Sequence, residues 1–265
     1  MKKETQDKNP KISENLERVG VTNLRTIVKT KWRGHDYRFI PRIQLTIDLK
    51  KDRKGIHMSR LVESISETIE EETMDVHRSI EELGRTILER LKEKHDYERG
   101  EIVFETELVT IEKTPVTQKD TMEAHDVKVT VRNRDGLSEK TLEVNVVGNT
   151  VCPHSLEKTG GKTHVQRALG TLTISTYYDN KITLEEMIKA VEKSFSSKVY
   201  TILKTEDEMH VVNTMMSNPK FVEDVAREIL YNAKKFRKSR VNAKVVSMES
   251  IHRHDVIAEG QFETF

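Results

Sequence analysis

Residues 44–49 read QLTIDL. Leu45, Ile47 and Leu49 alternate with Gln44, Thr46 and Asp48, the period of a strand buried on one face. The strand signal reaches back to Tyr37, and a charged turn, KKDRKG at 50–55, closes it. The period then changes. Leu61, Ile65 and Ile69, then Ile80, Leu83, Ile87, Leu88 and Leu91, fall at helical spacing, so two amphipathic helices follow. After Gly100 the strand period returns with Ile102, Phe104 and Leu108. Two more strands fit 126–132 and 140–147, joined through a turn at 133–136.

The second half repeats this order. A strand over 168–177 leads through a turn at 178–181 to a helix starting near Thr183, with Glu186 placed for a capping box. Another helix starts after Pro219 and carries Phe221, Val225, Ile229 and Leu230. Strands at 243–248 and 254–259 close the chain. Strand, helix, helix, strand, written twice, predicts an α+β protein with antiparallel sheet and paired helices on one face. The expected division is a flexible segment at 1–18, a first module at 19–150 and a second at 151–265.

Composition narrows the function classes. Lys and Arg number 45 against 44 Asp and Glu, a balance that argues against a general nucleic-acid binder. There is one cysteine, hence no internal disulfide. No apolar run approaches the ~20 residues that span a bilayer. The polar N-terminus lacks the apolar stretch of a signal peptide, so the expected setting is the cytoplasm.

Three segments gather chemistry. GNTVCPHS at 148–155 and KTHVQR at 162–167 bring Cys152, His154 and His164 onto one loop. A thiolate and imidazoles are ligands for Zn²⁺ or Fe²⁺, and a lone thiol can equally be packed and inert. In SIHRHD at 250–255, a strand would point His252 and His254 to the same face, where they could bind metal, shuttle protons or simply be solvated. KGIHMSR at 54–60 places Lys54, His57 and Arg60 at a strand-to-helix junction, with Ser59 a candidate N-cap. That suits a phosphate, or no more than a capped helix start. Among the acids, EDE at 206–208 reads as a surface run, whereas Glu223 in NPKFVED could face a ring bearing N–H donors.

Taken in order, VGVTNL at 19–24, KGIHMSR, KTPVTQ at 113–118, TVCPHS, THVQR, NPKFVED and ESIHRH resemble the GTP cyclohydrolases of the type IB and archaeal type IV group, over residues 19–259. VGVTNL and IHRHDVIAE look closest to the archaeal enzymes of methanopterin biosynthesis. The resemblance implies a tunnelling fold, duplicated modules that oligomerise into a β-barrel as a dimer or tetramer, with active sites between subunits. It implies one divalent metal per subunit, Fe²⁺ first and Zn²⁺ or Mn²⁺ next, held by Cys152, His164 and Glu208. Cys152 is also marked as catalytic, beside the pair His252 and His254. Glu223 anchors the guanine, and Lys54, His57, Arg60 and Arg167 are candidates to hold the triphosphate. Many relatives read CPC where this chain has Cys152-Pro153-His154, and HNQR where it has His164-Val165-Gln166-Arg167. The expected product is the 2′,3′-cyclic phosphate of dihydroneopterin with pyrophosphate. The alternatives are the triphosphate product of type IB and a nitrile reductase-like reaction with Cys152 as nucleophile.

Overall fold

The computed structural model describes residues 4–32, 35–72, 79–134 and 136–264. The elements are β1 (Leu16–Arg25), β2 (Val28–Trp32), β3 (His35–Phe39), β4 (Arg42–Leu49), α1 (Met58–Glu72), α2 (Ile80–Lys94), β5 (Arg99–Lys113), β6 (Asp120–Arg134), β7 (Leu137–Val151), α3 (Pro153–Lys158), β8 (Val165–Tyr177), α4 (Leu184–Glu192), β9 (Ser197–Lys198), α5 (Thr205–Ser217), α6 (Val222–Ala233), β10 (Ser239–Ser247) and β11 (Val256–Glu263). The protein is α+β, and the pairs β1–β4, β2–β3, β4–β5, β7–β9, β8–β10 and β10–β11 are antiparallel. No described helix is long and apolar enough to cross a membrane.

Two compact units are formed, Met1–Thr106 with Lys128–Thr141, and Glu107–Val127 with Leu142–Phe265. These bounds differ from a cut at residue 150, because β5, β6 and β7 each contribute to both units. In the first unit β4 lies between β1 and β5, and Leu45, Ile47 and Leu49 are buried as the alternation requires. The single strand expected from Tyr37 to Leu49 is instead β3 and β4, broken at Ile40 and Pro41. Proline has no N–H to give to a ladder. Leu61, Ile65 and Ile69 on α1 and Leu83, Ile87, Leu88 and Leu91 on α2 form the buried helix faces.

The segment 4–15 is tied down rather than trailing. The Lys54 N–H donates to the carbonyls of Gln6 and Lys8, at 3.0 and 2.8 Å, and Arg53 donates to Asp7 at 3.2 Å. Over residues 4–18 the structure differs from the flexible segment expected at 1–18, since Leu16 onwards is already β1; residues 1–3 lie outside the described residues.

In the second unit β8 pairs with β10 from Ser239↔Thr176 to Ser247↔Ala168, and β10 pairs with β11. The expected capping box starts α4: Glu186 N–H donates to Thr183 Oγ1 at 3.3 Å, and Thr183 N–H donates to Glu186 Oε2 at 3.4 Å. Met187, Ile188 and Val191 of α4, with Val225 and Ile229 of α6, complete a core with Leu172, Ile174, Val241 and Val245. One close approach marks the sheet near the end of β7. Phe195 is buried over two glycines, Gly148 on β7 and Gly170 on β8. A Cβ on Gly148 would lie 2.1 Å from the ring, and one on Gly170 would lie 3.0 Å from it.

Gly148→Ala is therefore expected to destabilise the protein by ~1–3 kcal/mol, the usual cost of overpacking a filled core. Urea unfolding measures it, and Phe195→Leu in the same chain should recover part of the loss. A Gly148→Ala variant as stable as its parent would show that the ring yields freely.

Candidate active site

Strand β7 ends at Val151, and the chain turns at Cys152 into the short helix α3. Cys152 is its N-cap: the sulfur accepts from the Ser155 N–H at 3.4 Å, and Pro153 fits the first helical turn. Two hydrogen bonds fasten the ends of this loop together. The Cys152 N–H donates to the His164 carbonyl at 3.3 Å, and the Thr163 hydroxyl donates to the Cys152 carbonyl at 2.8 Å. The structure thus brings Cys152 and His164 side by side, both half-buried. His154, on the same loop, is exposed.

The His164 ring is held by groups that sequence reasoning passed over. Its Nδ1 lies 2.8 Å from Gln166 Oε1. Gln166 Nε2 donates to Thr150 Oγ1 at 3.1 Å and to Glu249 Oε1 at 3.3 Å. Ser247 donates to Glu249 Oε1 at 2.9 Å and lies 3.2 Å from Thr150 Oγ1. Gln166, Thr150 and Ser247 are buried. The signal that could have found Gln166 is its position two residues from His164 at the start of a strand, where alternate residues share a face.

The remaining candidates lie elsewhere on the chain. His252 and His254 sit in an exposed turn between β10 and β11, not on a strand, yet their rings still stack, with centroids 5.1 Å apart and planes at 9°. Their loop is pinned to β8, since the Met248 N–H donates to the Arg167 carbonyl at 2.9 Å. The Arg167 side chain is exposed, as is Glu223 in the first turn of α6. Among the described residues, no three His, Cys, Asp or Glu side chains are grouped closely enough to hold a metal ion.

In the run EDE the buried residue is Asp207, while Glu208 is exposed on α5. Asp207 fastens the start of α5 to the turn made by the KTPVTQ stretch. Its carboxylate accepts from the N–H groups of Val116 and Thr117 at 2.8 and 2.9 Å, from the Thr117 hydroxyl at 2.5 Å and from the Lys204 N–H at 3.1 Å. Burial opposes its ionisation, but these donors outweigh burial and hold the carboxyl well below the usual 3.8.

Lys54, His57 and Arg60 belong to the first unit. Ser59 is not the N-cap: α1 begins at Met58, and the Arg60 N–H already bonds the His57 carbonyl at 3.1 Å. The His57 ring is taken up by carboxylates, Glu4 at 3.1 Å from Nδ1 and Asp7 at 3.9 Å from Nε2. Arg60 reaches the Lys94 carbonyl at 3.5 Å. Lys54 is exposed.

The family model described as type I GTP cyclohydrolase folE2 matches residues 3–258. The chain is 52% identical over 261 residues to GTP cyclohydrolase MptA of Thermococcus kodakarensis, covering 97% of this chain and 98% of that one. It is 50% identical to the protein of the same name from Pyrococcus furiosus, with the same coverage. In three dimensions it is similar to uricase from Arthrobacter globiformis, with a TM-score of 0.55 and 8% identity over 93% of both chains. At that identity the likeness carries the fold alone, the tunnelling fold.

A carboxyl depressed by hydrogen bonds stabilises the fold above its unfolded pKa and loses that contribution as pH falls below it. Asp207→Asn is therefore expected to be less stable than the parent at pH 7. The difference should shrink as pH drops below about 4, toward the depressed native value. Unfolding curves at a series of pH values check this. A difference that stays constant down to pH 2.5 would remove the carboxylate's charge from the explanation.

Proposed function

Because the chain belongs to the type I GTP cyclohydrolase folE2 family and is a hydrolase acting on GTP, we propose that it opens the guanine imidazole ring at a divalent metal held by Cys152 and His164, releasing formate. The proposed products are 7,8-dihydroneopterin 2′,3′-cyclic phosphate and pyrophosphate. The observation that carries the reaction is the near-full-length identity to two proteins named GTP cyclohydrolase MptA. The metal reading is supported by the donor set: a sulfur and an imidazole fixed at the two ends of one closed loop.

The residues fit a borderline metal such as Fe²⁺, with Zn²⁺ or Mn²⁺ as substitutes. Bound there, such an ion supplies Lewis acidity, which can lower the pKa of water from about 16 to around 7. Cys152 and His164 would hold it, and Glu208 is the proposed third ligand. Because Glu208 is exposed on α5 and not grouped with the pair, it has to be brought in on metal binding or assembly. Glu223 would accept the N1–H and exocyclic N–H bonds of guanine. The stacked pair His252 and His254 would take and return the protons that move as the ring opens. Arg167, Lys54, His57 and Arg60 would offset phosphate charge, and for His57 the phosphate must displace Glu4 and Asp7.

Glu208, Glu223, His252 and His254 all face solvent in one chain, a poor setting for electrostatic catalysis. A homo-oligomer with sites between subunits would cover them. Each unit leaves an edge strand for such pairing, β1 in the first and β11 in the second.

Anaerobic incubation with Fe²⁺ and GTP, followed by mass analysis, is expected to give the cyclic phosphate, formate and pyrophosphate. Retention of all three phosphates on the pterin would replace this product with that of type IB. Cys152→Ala should lose both metal and turnover, and full metal occupancy in that variant would remove Cys152 from the ligand set. Glu223→Gln should lower GTP turnover roughly 5- to 150-fold, since a carboxylate facing two N–H donors is worth ~1–3 kcal/mol. Its metal content should match the parent. Parent-like turnover would take Glu223 out of the guanine site.

A further inference from the structure

A neutral imidazole carries one ring proton, and only the other nitrogen has a lone pair for a metal. In this chain the choice is made by a chain of hydrogen bonds with one consistent direction. The Glu249 carboxylate can only accept, so the Gln166 group at 3.3 Å from it must be the amide nitrogen. That nitrogen's second hydrogen goes to Thr150 Oγ1 at 3.1 Å. Thr150, already accepting, turns its own hydrogen to Ser247 Oγ at 3.2 Å, and Ser247 passes its hydrogen to Glu249 Oε1 at 2.9 Å. Every donor in this ring has an acceptor. The Gln166 amide therefore cannot flip, and its carbonyl oxygen faces His164 Nδ1 at 2.8 Å.

We propose that Gln166, locked by Glu249, is a positioning residue that keeps the proton of His164 on Nδ1 and leaves Nε2 free as the metal-binding atom. This rests on the reading of His164 as a ligand. Glu249 Oε2, at 3.7 Å from Nδ1, adds negative potential on the same side of the ring. Such a partner orients a ligand histidine and raises its basicity, and loss of one typically weakens metal binding ~10–100-fold. The lock also joins two parts of the site, because Glu249 opens the loop that carries His252 and His254.

The test uses the full chain with ¹⁵N-labelled histidine, the His164 signal being assigned by its absence in His164→Gln. In the metal-free parent, His164 is expected to show the pattern of a proton on Nδ1. Gln166→Leu should shift it toward a proton on Nε2. Co²⁺ titration against a competing chelator is expected to weaken ~10–100-fold in Gln166→Leu. The thiolate-to-cobalt absorption band should survive, since Cys152 still binds. Glu249→Gln keeps the volume and should move both readouts in the same direction by less, and it decides the matter if Gln166→Leu fails to fold. A parent with its proton on Nε2, or variants with unchanged tautomer and unchanged Co²⁺ affinity, would overturn the proposal. A parent that shows no thiolate band would overturn the metal reading instead, while the tautomer in metal-free protein still decides the role of Gln166.

Discussion

The hydrogen bond from the Cys152 N–H to the His164 carbonyl is the closure on which the rest of the site hangs. It converts a loop between two neighbouring strands, β7 and β8, into a ring with fixed ends. Thr163 doubles it from the side-chain direction. With the ends fixed, the next residues of β8 carry Gln166 under Thr150 on β7 and Arg167 against the loop after β10. A sulfur, an imidazole and a histidine-bearing loop are thereby arranged by backbone geometry, with buried polar groups supporting rather than creating the arrangement. Buried networks of this kind specify one geometry only when every member is satisfied, and here every donor hydrogen has an acceptor, with Glu249 Oε1 accepting twice.

Much of the fold was legible because burial and period agree. QLTIDL alternates and lies in a strand whose apolar side chains are buried, and Thr183 with Glu186 caps a helix as written. What escaped has physical reasons. In β1 the burial does not alternate, since register shifts interrupt its pairing with β4. Helix α5 buries only Asp207, so it has no apolar stripe to read. The segment SIHRHD has the spacing of a strand, yet the chain turns there, and no local period announces a turn of that kind.

The geometry of the candidate site was legible where its candidates are close in sequence. Cys152 and His164 share a loop whose ends are hydrogen-bonded together, whereas the surroundings of each acid are not written in the local sequence. In EDE three adjacent side chains point in three directions on a helix, and only tertiary contacts reveal that Asp207 turns inward and Glu208 outward. The basic cluster at 54–60 illustrates the converse. Its charges were visible, but the carboxylates that already engage His57 come from Glu4 and Asp7, far away in sequence.

The Phe195 ring over Gly148 and Gly170 has a bearing on fidelity during folding. A strand shifted by one residue against its neighbours turns each side chain to the opposite face. For β7 such a slip would put Val147 or Asn149 under the ring, where there is no room even for a methyl group. The aromatic ring thus acts as a register gauge, since the core cannot close over a β7 paired one residue out of place. Because Gly148 lies only a few residues upstream of Cys152 on the same strand end, the contact that fixes the register of β7 also fixes where the thiol falls relative to its histidine.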